Sequence, residues 1–76
     1  MKRVEIKARF TSADGIEPRE LTIGSRRILV RGIGDRWVDT EANYFKVNGS
    51  DGMVYLLRFD LEEQTWTIVR SWSLDA

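Results

Sequence analysis

Between Arg3 and Phe10 every second side chain is apolar. Val4, Ile6, Ala8 and Phe10 share one parity, and Arg3, Glu5, Lys7 and Arg9 share the other. A period of two sends successive side chains to opposite faces, so this stretch predicts a half-buried strand with one charged face. The unbroken outward row of charges also suits an edge strand that must not recruit neighbours. The rhythm returns at Leu21 and Ile23, at Ile28 and Val30, at Tyr55, Leu57 and Phe59, and at Trp66 and Ile68. No segment carries the 3.6-residue pattern over the length a three-turn helix needs.

Turn chemistry divides these runs. Residues 11–19 read as a loop, because they hold Asp14-Gly15, the sole proline (Pro18) and little apolar content. Gly24-Ser25 fits the centre of a type II′ hairpin turn, pairing residues 20–23 with residues 26–33. In the second of these strands Ile33 breaks the parity of Ile28 and Val30, and a bulge at Gly32 would restore it. Residues 35–42 read as a turn with Trp37 packed inward, followed by a strand over residues 44–47. Asn48-Gly49-Ser50-Asp51-Gly52 is the strongest turn signal in the chain. Residues 53–59 and 65–71 complete the pattern around a polar turn at 60–64.

Five to six short strands with no helix between them predict an all-β antiparallel meander. Small sheets hide their edges by curling, so the expected form is an SH3-like, partly open barrel occupying residues 1–76 as one domain. A single curved sheet is the alternative. Val54 and Leu56 point opposite to Tyr55 and Leu57 yet are apolar. Either their strand is central and covered on both sides, or the second face binds something.

A chain of 76 residues supports one small core. It carries twelve basic and twelve acidic side chains and neither histidine nor cysteine. Lacking cysteine, it has no disulfide, thiolate nucleophile or cysteine-ligated zinc. Lacking histidine, it has no imidazole base and no Ser-His pair. The lysines occupy solvent-like positions and no serine has a visible base, so the chain is not expected to be an enzyme or to use a cofactor or metal. Asp51, Asp60, Glu62 and Glu63 lack the alternating ligand pattern of a calcium loop. Met1-Lys2-Arg3-Val4-Glu5 has charges where a signal peptide needs an apolar run, and no apolar run is long enough to span a bilayer. A cytoplasmic protein without membrane contact is expected.

From about Pro18 to Trp72 the chain carries Asp35-Arg36-Trp37, Tyr44-Phe45 with Val47, Asp51-Gly52, Tyr55, Leu57-Arg58, Asp60 and Trp66. This pattern resembles a group of small bacterial all-β domains, described only as hypothetical cytoplasmic proteins or domains of unknown function. Such domains more often place an aromatic residue before the Gly-Ser turn, where Ile23 stands here. The resemblance implies a fold and brings no activity. Some relatives sit among proteins of DNA repair and replication, which tilts the reading slightly toward nucleic acid.

Residues 19–36 hold Arg19, Arg26, Arg27, Arg31 and Arg36 against Glu20 and Asp35, a balance of +3, whereas residues 37–65 carry −4. Two functions follow. In the first, a non-catalytic interaction module docks to a protein partner or to itself, using the loop at 11–19, an edge strand, or a patch around Val54, Leu56 and Trp72. In the second, a nucleic-acid accessory domain uses an arginine-rich hairpin of Arg26, Arg27 and Arg31. There Arg36 neighbours the hairpin and Trp37 or Tyr44 stacks bases. Trp72, beyond the last strand, either caps the barrel end or joins an exposed aromatic patch.

Overall fold

The computed structural model describes residues 2–11 and 15–75. Among them there is no helix, and the strands are β1 (Lys2–Arg3), β2 (Glu5–Thr11), β3 (Gly15–Ile23), β4 (Arg26–Val38), β5 (Ala42–Gly49), β6 (Met53–Asp60) and β7 (Trp66–Ser73). All pairings are antiparallel, in the order β1-β7-β6-β5-β4-β3-β2. Among the described residues no helix is long and apolar enough to cross a membrane.

The two ends of that order are one piece of chain. Lys2 and Arg3 pair with Ile68 and Thr67 of β7, the Val4 amide donates to the Trp66 carbonyl at 3.2 Å, and Glu5 then pairs with Thr22 of β3. The first strand therefore joins opposite edges of the sheet and curls it into a partly open barrel. Counting β1 and β2 as one strand interrupted at Val4 gives six extended segments. Seven strands laid flat at about 4.8 Å would form a layer only about 10 Å thick. The molecule instead measures 31 × 23 × 20 Å, as a curled sheet must.

Alternation fills the interior as the sequence predicts. Val4, Leu21, Ile28, Phe45, Val47, Tyr55, Leu57, Trp66 and Ile68 form one buried cluster. Trp66 bridges two rings, with centroids 5.5 Å from Phe45 and 4.8 Å from Phe59. Gly49 faces the same interior. A Cβ there would stand 2.9 Å from Ile28 Cγ2 and 3.0 Å from Tyr55 Cε2, so only glycine lets these residues close over β5. Gly24 has φ +62 and Ser25 is not in the left-handed region, which matches the type II′ turn expected between β3 and β4.

Several expectations need correction. The region read as a loop at 11–19 is mostly strand, since β3 begins at Gly15 and pairs with β2 from Thr11↔Gly15 onward. Asp14 lies outside the described residues. Pro18 is tolerated because a register shift between Lys7 and Ala8 places it opposite Ala8. The turn expected at 35–42 is also strand as far as Val38, because β4 runs for 13 residues. Its length is accommodated by two irregularities, one between Val30 and Gly32 and one between Ile33 and Asp35. The first lies beside the glycine expected to bulge, and Ile33 does pack against the core. The second, unforeseen, turns Trp37 outward, where it is 46% exposed and not core.

Candidate interaction site

Phe45 and Val47 point into the barrel, so Tyr44, Lys46 and Asn48 of β5 point out. Strand register extends this outer surface across four strands. Trp37, Tyr44 and Arg58 form one row, Asp35, Lys46, Leu56 and Arg70 the next, and Asn48, Val54 and Trp72 the third.

Trp72 reaches this face because of an irregularity in β7. Leu57 pairs with Ile68, but Leu56 pairs with Arg70, so Val69 is an extra residue. Parity flips there. Trp66 and Ile68 stay inside, while Arg70 and Trp72 turn out. Trp72 therefore belongs to β7 and does not lie beyond the last strand. Its indole lies opposite Val54, which is only 3% exposed although it belongs to the outer face. Lys46 Nζ stands 5.8 Å from the Trp72 ring centroid and the Arg70 guanidinium carbon 5.2 Å. Both cations lie within the range of attraction to the ring's π face.

The row above is also ordered. Trp37 and Tyr44 stack with centroids 5.4 Å apart and planes 7° from parallel. The Arg58 Nε donates to the Tyr44 hydroxyl at 3.4 Å, and its Nη1 reaches Asp60 Oδ2 at 3.1 Å. The Tyr44 bond, then Asp60, holds the Arg58 pKa above its ordinary value. Asp60 is held low, first by the Glu63 amide and also by Arg58 and the Glu62 amide. Its carboxylate thus ties the turn between β6 and β7 to the sheet. Asp39 does the same before β5, accepting the Glu41 and Ala42 amides, which depress its pKa. Among the described residues no three His, Cys, Asp or Glu side chains gather as metal ligands.

The arginines of the hairpin are placed apart from these rings. Arg26 pairs with Asp51 at 3.1 Å, and Asp51 accepts the Tyr55 hydroxyl. Burial first, then that bond, pushes the Tyr55 phenol up to about 12. Burial pushes Asp51 upward, but the Tyr55 hydroxyl and the Met53 amide outweigh it and leave the carboxyl below its ordinary value. Arg27 meets Glu20 at 3.3 Å, with Lys7 on the other carboxylate oxygen at 3.6 Å. Arg36 projects to the inner side, its guanidinium 5.1 Å from the Phe45 ring centroid and its Nη2 donating to the Ile16 carbonyl at 3.0 Å. Arg31 is exposed on β4.

Of the residues singled out from the sequence, Val54, Leu56 and Trp72 come together on one surface, with Trp37 at its β4 border. Arg26, Arg27, Arg31 and Arg36 do not join them. Sequence reasoning placed Tyr44 with the arginine hairpin instead of this face, and missed Lys46, Arg58 and Arg70. The alternation at 44–48 and 54–58 carried the signal for Tyr44, Lys46 and Arg58, whereas Arg70 depends on the irregularity at Val69. No protein-family model matches the chain, and no curated protein or solved structure matches it.

Proposed function

We propose that this chain is a non-catalytic interaction module, an SH3-like small barrel in a bacterial cytoplasm. It docks to a protein partner or a second copy through the outer face of β4–β7. The observation that carries this reading is the ordered exposure of Trp37 on Tyr44 beside the Lys46–Trp72–Arg70 group. Trp, Tyr and Arg are the residues that concentrate binding energy in protein interfaces. Rings already held by stacking and cations lose little freedom on binding. The lack of cysteine suits a reducing compartment.

Sedimentation velocity tests the self-docking arm. A mass that rises with concentration, ignores salt and returns to monomer in Trp37→Ser supports it, and a monomer throughout removes it. The second reading is the nucleic-acid accessory domain using the arginine hairpin. Its support is the exposure that Arg26, Arg27 and Arg31 retain. Binding of oligothymidylate that falls steeply with salt and disappears in Arg27→Glu with Arg31→Glu would establish it in place of the first. Binding that ignores ionic strength would remove it.

A further inference from the structure

For most of its length β7 has a neighbour on one edge only. β6 pairs with it from Trp66 to Ser73, whereas β1 covers only Thr67 and Ile68 on the other edge. Among the described residues no strand pairs with residues 69–73 on that side. The Leu74 amide donates to the Gly52 carbonyl, toward β6. Backbone groups alternate in direction along a strand. Trp72 and Arg70 therefore also bond toward β6, while Ser71 and Ser73 present N–H and C=O to the open edge. A cleft of about 790 Å³, lined by Ile23, Arg26, Val69, Arg70 and Ser71 among others, leaves room beside it.

What this edge accepts follows from its side chains. β2 also has an open edge, but it repels a second copy. Antiparallel pairing of β2 with itself, centred on Lys7, sets Lys7 against Lys7, and centred on Ala8 it sets Lys7 against Arg9. Like charges directly opposite are destabilising. Residues 69–73 of β7 carry a single charge, Arg70. Pairing centred on Ser71 sets Arg70 of each copy opposite Trp72 of the other, and Val69 opposite Ser73. Both Arg–Trp pairs lie on the outer face, at non-hydrogen-bonded positions where Cα atoms approach to about 4.5 Å. The Arg70 guanidinium carbon already stands 5.2 Å from the centroid of its own Trp72 ring, although alternate residues lie about 6.6 Å apart along a strand. The same attraction acts at shorter range across the seam. Centring on Arg70 would oppose two arginines, and centring on Trp72 would set Arg70 against Leu74.

We propose that a second copy of this chain pairs with residues 69–73 of β7, antiparallel and two-fold symmetric about Ser71, so that two sheets join into one. The proposal goes beyond the docking reading. Its contact is a sheet edge, and it leaves Trp37 and Tyr44 uncovered for another partner.

The chain has no cysteine, so Ser71→Cys reads the register directly. Hydrogen-bonded antiparallel pairs lie about 5.5 Å apart at Cα, within disulfide reach. Mild oxidation should link two copies of Ser71→Cys and should not link Ser25→Cys, altered at the β3–β4 turn. Sedimentation equilibrium should show mass rising with concentration toward a dimer, while amide exchange slows at Ser71 and Ser73. Ser71→Pro removes an outward amide and spares the ladder to β6. Its melting temperature at monomeric dilution should hold, while association weakens at least about tenfold. Arg70→Ala removes both cross-seam contacts and should weaken association about tenfold. Trp37→Ser should still pair. The cross-link decides even if the proline variant unfolds. A monomer at every concentration overturns the proposal and leaves the docking face to a different protein. A dimer that persists in Ser71→Pro, or associated chains that Ser71→Cys does not link, also overturns it. If Trp37→Ser dissolves such a dimer, the copies dock through the outer face instead.

Discussion

The inner and outer faces of β5–β7 are built from the same strands but differ in what removing a side chain would do. Inside, Phe45, Val47, Leu57 and Trp66 interlock so closely that Gly49 has no room for a methyl group. Outside, Trp37 is half exposed, and only Val54 beneath Trp72 is fully covered. The inner face is spent on folding. Most of the outer face contributes little to folding, yet its rings are stacked and its cations positioned. This ordered exposure is the basis of the docking face proposed above.

Truncation inside should produce the largest change. Leu57→Ala leaves a cavity at the barrel centre and should cost about 2–5 kcal/mol, read by urea unfolding. Gly49→Ala overfills the same region from the other direction and should cost about 1–3 kcal/mol. A tolerated alanine at 49 would break the contrast, because the interior would then have slack.

Tyr55 sharpens the comparison through pH. The phenol is raised to about 12 in the fold, by burial first and by Asp51 next. The unfolded phenol ionises near 10, so this stability is complete below about pH 10 and is lost as pH rises toward 12, on the order of 2 kcal/mol. Tyr55→Phe should abolish that alkaline decline. Asp51 acts with the opposite sign. Its folded pKa lies below 3.8, so its contribution is present above that value and lost as pH falls through the folded value. Guanidinium unfolding across both ranges checks both signs.

On the outer face Trp37→Ser removes one stacked ring and should cost about 1 kcal/mol. Arg70→Ala should stay within about 0.5 kcal/mol, since it removes an exposed cation from above Trp72. A loss as large as that of Leu57→Ala at either position would place the outer face in the folding core.

The architecture was legible in most places where side chains alternate, although Phe10, expected on the apolar face of its strand, is 79% exposed. Val4, Ile6 and Ala8, the Gly24-Ser25 turn, and Tyr55, Leu57 and Phe59 all read correctly because period two leaves one choice of face. What escaped were the places where one extra residue shifts the count. Val69 turns Trp72 outward, and the irregularities of β4 carry Trp37 with them. Nothing in the composition around Val69 marks an irregularity, since neither glycine nor proline is there. Gly15 to Arg19 read as a loop because Pro18 and acidic residues weaken the strand signal, yet pairing with β2 overrides them. The joining of both sheet edges by one strand was invisible as well, because local pattern does not reveal partners distant in sequence. The candidate face was therefore half readable. Val54 and Leu56 stood out as apolar residues on the wrong parity, but the rings and cations around them became neighbours only through register.

Urea unfolding of the double variant Trp37→Ser with Arg70→Ser, beside Leu57→Ala, tests most directly whether the two faces divide their work. The account predicts that the double variant loses less stability than Leu57→Ala, with an unchanged denaturant slope. An equal or larger loss, or a changed slope, would contradict it.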